Sequence, residues 1–386
     1  MRIDVHTLGA FHGLAQQGAM AASGAFRTLT GESTTIEVRG VNVTPAEVVR
    51  TQIDDHQAAV VMDLSGGVDG RAFLTFGSAD AARLQDALPA AEPDSTNAVL
   101  EVGNILVGRL LDDLANALRT GIDVTPPVGV SADEAITDDV KFLFECRLIA
   151  ARLGIAFDLY LGLENGAFDR LLEARADPRG KEASPVPSAG FEELSLFSEL
   201  VDEGVTQAAN HAAMLTGLEL DAEPNGLRFI TLKELTQYVK DSERVGAAFS
   251  LSEPPGGFVL FTFDRTSAYQ LAGAMVPGES AGAVEGMIQD AVQELGNVMT
   301  SGLIDGWASL FGASIDHSPP EIIGDPPDGA KDILHPFIDW LDEERRFGFL
   351  VDATIRTPND NIECDIYAMP DDLELLQALD RRATGS

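Results

Sequence analysis

Two long stretches of the chain repeat apolar residues every three or four positions, the spacing of an amphipathic helix. They are residues 95–119 and 286–311, and Gly or Pro follows each of them. Shorter runs rich in β-branched and aromatic residues predict strands at 35–38, 58–64, 73–76 and 155–161. Helices mixed with such alternating strands predict an α+β fold with a largely antiparallel sheet.

The pattern occurs twice along the chain. The turn and strand at residues 66–76 are echoed at 256–263, and Phe157-Asp158-Leu159-Tyr160 is answered by Cys364-Asp365-Ile366-Tyr367. The matching segments lie about 190 to 207 residues apart, which indicates one structural unit repeated in tandem. Pro, Gly and Ser are frequent between the copies. We therefore predict domains at residues 1–173 and 191–386, joined by a linker at 174–190.

The composition is strongly acidic throughout. There are 62 acidic against 26 basic residues, giving a formal net charge of −36. Acidic residues recur along the whole chain, so this is a property of the surface as a whole and is typical of proteins from a salt-rich, halophilic cytoplasm. No basic stripe exists to displace counterions from nucleic acid, and a polyanionic surface disfavours anionic membranes.

Targeting and redox signals are few. No apolar run reaches the roughly eighteen residues needed to cross a bilayer, and the amino terminus lacks a signal-peptide core, which predicts a cytoplasmic protein. Cys146 and Cys364 are isolated in strand-like runs. We expect both to be buried free thiols.

Both long helical stretches carry the same polar motif. A glutamate is followed three residues later by an asparagine, and twenty-two further residues separate that asparagine from a proline. The first copy is Glu101, Asn104 and Pro127; the second is Glu294, Asn297 and Pro320, with Asp290 four residues before the glutamate. At 100° per residue, positions 290, 294 and 297 leave a helix within about 60° of one another. The motif therefore predicts an exposed polar face.

The residues between these polar positions have separate expected roles. The apolar residues of the second helix point elsewhere and are expected to hold it on its sheet; they are Val292, Leu295, Val298 and Met299. Gly296 lacks a side chain, and we expect it to let the backbone of another protein approach the site closely.

With these residues the chain resembles a tandem pair of CheC-type phosphatases, the family with CheX and FliY relatives that dephosphorylates the chemotaxis response regulator CheY. The family motif is Asp or Ser, three residues, Glu, two residues, Asn, twenty-two residues and Pro, and residues 290–320 match every fixed position. The resemblance implies two CheC-like units, each an antiparallel sheet bearing long motif helices. It assigns catalytic roles to Glu101, Asn104, Glu294 and Asn297, supported by Asp290, Pro127 and Pro320.

Two fused family members imply four motif helices, which keep the motif residues to different extents. The first has Gly13 and Gln16 where the motif has Glu and Asn, which predicts an inactive site. The second keeps Glu and Asn but has Asn97 in place of Asp or Ser. The third keeps Glu199 but has Asp202 for the asparagine, and its carboxylate is expected to repel a phosphoryl group. The fourth is complete.

The implied reaction is hydrolysis of an aspartyl phosphate on a CheY-type regulator. By resemblance, the asparagines align the attacking water and the glutamates pair with the regulator's lysine. The regulator brings its own Mg²⁺, so the chain itself is expected to bind no cofactor. The alternatives are a docking protein that binds regulators or the deamidase CheD without hydrolysis, and a structural role at the flagellar switch, as in motor-linked relatives.

Other chemistries have little support in the sequence. The six histidines never occur at metal-ligand spacing and are expected to be surface or boundary residues. The chain lacks a glycine-rich dinucleotide turn, and Gly180-Lys181 is not followed by the Ser or Thr of a phosphate loop.

Overall fold

The computed structural model divides the chain into two compact units, Met1–Val186 and Pro187–Ser386. The residues that it describes are 3–53, 57–88, 95–164, 166, 187–231, 233–235, 244–252, 254–324, 347–359 and 362–384. The division falls inside the segment predicted as a linker, whose residues 174–186 lie outside the described residues.

The first unit is one antiparallel sheet with helices. The helices are α1 Val5–Thr30, α2 Ala46–Gln52, α3 Ser78–Ala87 and α4 Ser95–Leu118. The strands are β1 Thr35–Asn42, β2 Gln57–Gly66, β3 Gly70–Gly77, β4 Ile122–Val124, β5 Val128–Ser131, β6 Phe142–Ala150 and β7 Ile155–Leu163. They pair in the order β1-β6-β7-β3-β2, and β4 and β5 both pair with the far side of β2.

The second unit repeats this architecture. Its helices are α5 Phe191–Thr216, α6 Arg265–Met275, α7 Ala281–Gly286, α8 Ile288–Phe311 and α9 Asp372–Thr384. Its strands are β8 Asp221–Thr231, β9 Arg244–Leu251, β10 Gly257–Asp264, β11 Glu321–Ile323, β12 Phe347–Arg356 and β13 Glu363–Pro370. They pair antiparallel in the order β8-β12-β13-β10-β9-β11.

Strand order confirms the duplication read from the sequence. β1, β6, β7, β3 and β2 of the first unit correspond to β8, β12, β13, β10 and β9 of the second, and the short strands after each motif helix occupy the same edge. The predicted α+β class, the antiparallel sheet and both long helices are confirmed, and the four predicted strands are present with longer ends.

Each unit stacks two long helices on one face of its sheet, and glycines let them meet closely. A β-carbon on Gly18 of α1 would lie 2.4 Å from the Leu110 carbonyl oxygen of α4. In the second unit a β-carbon on Gly204 of α5 would lie 2.5 Å from the Leu303 carbonyl oxygen of α8. Real β-carbons do not approach so closely, so the glycines set the spacing of the helix pair.

The buried side of α1 shows why this sequence forms a packed helix. Apolar residues recur at helical spacing on this side and are all buried: Leu8, Phe11, Ala15, Ala19 and Phe26. Burial of their apolar surface stabilises the folded unit. At its start Asp4 Oδ1 accepts a hydrogen bond from the Thr7 N–H at 2.8 Å. This cap satisfies a backbone donor that has no partner within the helix.

One histidine expectation was wrong. His12 lies in α1 with only 1% of its surface exposed, and its ring meets Phe144 edge-on with ring centroids 5.9 Å apart. An imidazole without a charged neighbour in the sequence can fill a core position through its apolar edges, so exposure could not be inferred from residue type.

Other expectations for isolated groups are borne out. Cys146 in β6 and Cys364 in β13 are free and buried, and burial raises the pKa of both thiols, so neither is a ready nucleophile. Among the described residues, no helix is both long enough and apolar enough to cross a membrane.

Glycine at the sheet side of α4 gives a test of this packing. We expect Gly103→Ala to lower the free energy of unfolding by about 1–3 kcal/mol, because its β-carbon would lie 2.7 Å from Val60 Cγ1. Gly108→Ala in the same helix is the matched control, since no atom lies within 4 Å of its β-carbon position. It should raise stability by about 0.5–1 kcal/mol. Urea unfolding of both variants measures the difference; equal effects would contradict the close helix–sheet contact.

Candidate functional site

Helix α4 presents the first glutamate and asparagine to solvent. Glu101 and Asn104 are exposed, whereas Val102, Gly103 and Leu106 are buried. The motif therefore lies on the outer face of a helix whose inner face packs on the sheet, as its spacing predicts. Among the described residues, Glu101 has no cationic side chain within 4 Å.

Helix α8 presents the second copy in the same way. Asp290 and Glu294 are exposed and Asn297 is partly exposed. Its inner face carries Val292, Leu295 and Met299, each only 1% exposed. Val298, also expected on the sheet side, is only partly buried, because it lies at the side of the helix. The Asn297 carbonyl oxygen accepts a hydrogen bond from Ser301 Oγ at 3.0 Å, a bond that involves the backbone of Asn297 and not its side-chain amide. Both pairs thus have the exposure that contact with another protein requires.

The predicted role of Gly296 was wrong. Gly296 is buried on the sheet side of α8, and a β-carbon there would lie 2.9 Å from Phe249 Cζ and 3.0 Å from Ala247 Cβ. Gly103 meets Val60 at the matching place in α4. At 100° per residue, a position two residues after the glutamate points away from it. The glycine therefore brings the helix close to its own sheet rather than admitting a partner.

Each motif proline lies in a bulge at the sheet edge. Val124 and Val128 pair with Leu64 and Val61, so three residues of one strand oppose two of β2. In the second unit His317 and Glu321 pair with Leu251 and Ala248, again three against two. The bulge carries Pro126-Pro127 in the first unit and Pro319-Pro320 in the second. A bulge suits proline because its residues leave the regular hydrogen-bond ladder.

A hydroxyl fastens each bulge to the neighbouring strand. The Asp63 N–H donates to Thr125 Oγ1 at 2.9 Å, and the Thr125 N–H donates to the Asp63 carbonyl at 3.0 Å. The Ser250 N–H donates to Ser318 Oγ at 3.0 Å, and the Ser318 N–H donates to the Ser250 carbonyl at 2.8 Å. Sequence reasoning missed these two residues. The signal was the repeated tripeptide Thr-Pro-Pro and Ser-Pro-Pro ending at each motif proline.

The bulge lies beside the motif helix. Partners in register share a face of the sheet, so Gly129, opposite Val60, faces α4. Leu100 Cδ2 lies 4.0 Å from the β-carbon position of Gly129, one residue from Glu101. In the second unit Ile322 is opposite Ala247 and faces α8. Helix and proline bulge together frame one exposed surface in each unit.

The two degenerate copies lie on the other long helices. Gly13 and Gln16 are partly exposed on α1, which lacks a carboxylate at that place. On α5 Glu199 is exposed, Asp202 is partly buried and Ser195 is 9% exposed. Neither helix presents the glutamate–amide pair that α4 and α8 carry.

The carboxylate that replaces asparagine on α5 is in an unfavourable place. Burial, and then the negative charge of Glu199, raise the pKa of Asp202 to about 6. In the part of the chain that the structure describes, its Oδ1 has no hydrogen-bond partner. An amide would suit the position better, because burying a neutral group costs less than burying a charge.

Two further acids with a raised pKa lie within the sheets and not at the motif helices. Asp158 of β7 pairs with Arg39, whose Nη2 lies 3.8 Å from Asp158 Oδ1. Asp365 of β13 pairs with Arg244, whose Nη2 lies 2.5 Å from Asp365 Oδ2. Burial raises the pKa of both carboxylates, to about 6 for Asp365. Across the described part of the chain, no cluster of three or more His, Cys, Asp or Glu side chains could hold a metal ion.

Comparison with known proteins points to one family. The model of the CheC-like family matches residues 95–131 and 287–323, the two helix-and-proline segments described above. A Halobacterium salinarum protein named "Putative CheY-P phosphatase CheC1" is 34% identical over 180 residues, which cover 46% of this chain and 90% of that protein.

The chain also matches solved structures, which cover about half of it or less. FliY of Thermotoga maritima is 16% identical and covers 52% of this chain and all of its own, with a TM-score of 0.39. The CheX–CheY–BeF₃–Mg²⁺ complex of Borrelia burgdorferi contains a chain that is 18% identical, covering 39% of this chain and 96% of that one, with a TM-score of 0.31.

The raised pKa of Asp202 gives a prediction with a defined sign. In the folded state the charged form is disfavoured, so between the ordinary value of 3.8 and about 6 the folded chain binds more protons than the unfolded chain. We expect Asp202→Asn to stabilise the protein above pH 6, on the order of 1 kcal/mol once partial solvent screening is allowed for. The gain should shrink as the pH falls and vanish below about 4.

Denaturant unfolding at several pH values measures this gain. Glu199→Gln is the control, because it removes only the smaller, coulombic cause and should give a smaller gain. A loss of stability in Asp202→Asn at pH 7.5 would show that the carboxylate is not held in an unfavourable environment.

Proposed function

The chain belongs to the CheC-like family, and on that premise we propose that it hydrolyses the aspartyl phosphate of a CheY-type response regulator. The observation that carries the proposal is the pair of exposed Glu-x-x-Asn motifs, Glu101 with Asn104 and Glu294 with Asn297, each framed by a proline bulge. Both family-model segments span all three motif positions of their copy.

The reaction requires little covalent chemistry from this chain. A water oxygen forms a bond to phosphorus in line with the breaking bond, the aspartate carboxylate leaves, and the water proton passes to phosphate or solvent. As the CheC-type resemblance implies, the regulator supplies Mg²⁺ and a lysine for the developing charge. The chain's task is then to place a water, which is a matter of position.

An amide is suited to placing that water. The side chain of Asn104 or Asn297 can accept a hydrogen bond from the water through its oxygen and donate one to a phosphoryl oxygen through its nitrogen. A carboxylate such as Asp202 offers acceptors only when ionised and would repel the phosphoryl group. Asn104 is exposed and Asn297 is partly exposed, so each side chain can reach into a partner's pocket.

The glutamates are proposed to hold the docking register. Glu101 and Glu294 stand one helical turn before the asparagines, and both side chains are exposed. Pairing of each with the regulator's lysine would position the neighbouring amide over the phosphoryl group. Their role is electrostatic orientation, which governs encounter and register more than raw affinity.

Localisation and solvent conditions follow as parts of the same proposal. A CheY-type substrate places the protein in the cytoplasm, and the net charge of −36 suits concentrated salt. We propose that the chain itself holds no cofactor and acts on the metal-loaded regulator.

A docking protein is the second candidate, favoured by one observation. Among the described residues, two of the four long helices, α1 and α5, lack the complete glutamate–amide pair. A protein that only binds regulators, or CheD, would have no need of the pairs that remain on α4 and α8. Retention of both pairs supports hydrolysis.

The test is the decay of phosphorylated CheY from Halobacterium salinarum, in molar KCl with Mg²⁺. Removing one group that orients the reacting water typically costs about 10²- to 10³-fold at its site. We expect Asn104→Ala and Asn297→Ala each to lose the contribution of one site and the double variant to lose acceleration altogether. Asn116→Ala, an exposed asparagine elsewhere on α4, is the control and should match the wild type.

Binding of the regulator separates the two candidates. If the wild-type chain binds phosphorylated CheY yet leaves its decay unchanged, the docking role replaces hydrolysis. If the double variant still accelerates decay, the asparagines are not the catalytic groups.

A further inference from the structure

The two complete sites share one frame but differ in the surface around it. Position for position, the second copy lies 193 residues after the first, as Glu101 with Glu294 and Pro127 with Pro320 show. The shared frame makes the flanking residues directly comparable, because strand register and helix face are the same in both units.

The surface beside the first pair is apolar. Leu100, next to Glu101, is only partly buried, and its Cδ2 lies 4.0 Å from the β-carbon position of Gly129. Val124, opposite Leu64 on the α4 side of the sheet, keeps 38% of its surface exposed. The exposed polar pair therefore has aliphatic neighbours on the helix and on the strand.

The surface beside the second pair is polar on the helix and mixed on the strand. Gln293 takes the place of Leu100 and is exposed. On the neighbouring strand, the side chain of Ile322 occupies the space beside the helix where the first unit has Gly129. His317 stands where the first unit has Val124, with its ring edge-on to Phe249 at 5.2 Å. The apolar side chain has moved from the helix to the strand, and a hydrogen-bonding amide has replaced it on the helix.

The charge along the two motif faces also differs. On α8 the exposed carboxylates Asp290, Glu294 and Asp305 lie along one face, and none has a cationic group within 4 Å among the described residues. On α4 the matching positions are Asn97, Glu101 and Asp112, and Asp112 pairs with Arg109, with Nη1 and Oδ2 3.2 Å apart. The face of α8 carries three negative charges where that of α4 carries one net negative charge.

We infer that the two sites select different docking faces on the regulators they bind. The α8 site takes a phosphorylated receiver domain that presents basic side chains around its phosphorylated aspartate, and the α4 site takes one through apolar contact. Opposite charges favour a partner and like charges exclude it, so a few exposed side chains suffice to set the preference. The inference rests on the proposed function for the kind of partner, but its test reads binding and not hydrolysis.

The experiment measures the affinity of each site separately. Glu101→Arg blocks the α4 site and Glu294→Arg blocks the α8 site, each by reversing the docking charge. The probe is CheY of Halobacterium salinarum loaded with BeF₃⁻ and Mg²⁺, titrated in 0.5 M KCl. A second probe is the same receiver with the basic residue nearest its phosphorylated aspartate changed to Gln, its active-site lysine excepted.

Each set of substitutions should change the affinity of only one of the two sites. With the α4 site blocked, Asp290→Asn with Asp305→Asn should weaken binding about fivefold, and the second probe should bind several-fold more weakly than the first. With the α8 site blocked, both changes should leave affinity within twofold, whereas Leu100→Gln should weaken it. Glu219→Gln with Glu279→Gln, two exposed acids away from the motif face, controls for net charge.

The outcomes separate the inference from the proposed function. The inference would be overturned if the receiver substitution changed the affinity of both sites equally. It would also be overturned if the control substitutions weakened binding as much as the changes at Asp290 and Asp305. Selective binding without acceleration of phosphate loss would support the inference while the proposed hydrolysis fails.

Discussion

The close contact between each motif helix and its sheet is the constraint on which the site depends. Only glycine fits at Gly103, against Val60, and at Gly296, against Phe249 and Ala247. Because this contact fixes the rotation of the helix about its axis, the glutamate two residues before the glycine points away from the sheet, and the asparagine one residue after it lies at the side of the helix. The contact between the glycine and the sheet therefore determines where the glutamate and the asparagine of the motif point.

The sheet edge supplies the second half of the frame. The bulge after each motif helix is held by the hydroxyl of Thr125 or Ser318, which accepts the hydrogen bond of a strand N–H where the bulge interrupts the ladder. Prolines in the bulge restrict the backbone, so the frame is rigid before a partner arrives. A rigid frame suits a reaction whose catalysis is mostly a matter of placing a water.

Duplication explains how the sites could diverge without loss of the fold. The glycine contact and the hydroxyl-held bulge are kept in both units, while neighbouring exposed positions differ, as at Leu100 and Gln293. Exposed substitutions have small effects on stability, so such positions are free to change with the partner. The partly buried Asp202 on α5 shows the opposite case, since its carboxylate stands where burial disfavours charge.

Much of the fold was predictable because helices and strands leave periodic patterns of apolar residues in the sequence. The apolar repeat predicted α4 and α8, and the spacing of Glu294 and Asn297 predicted their shared exposed face. The role of Gly296 and the burial of His12 were predicted wrongly, because both depend on which strand lies beneath a helix, and a single sequence does not state strand pairing. The Thr125 and Ser318 hydrogen bonds were missed for the same reason.

We propose that each half of the chain holds a complete regulator site. The most direct measurement is the binding stoichiometry of BeF₃⁻–Mg²⁺-loaded CheY, determined by titration calorimetry in concentrated salt. Two receivers per chain are predicted, falling to one when either Glu101 or Glu294 is reversed in charge. A single receiver per chain, or a stoichiometry that neither substitution changes, would contradict it.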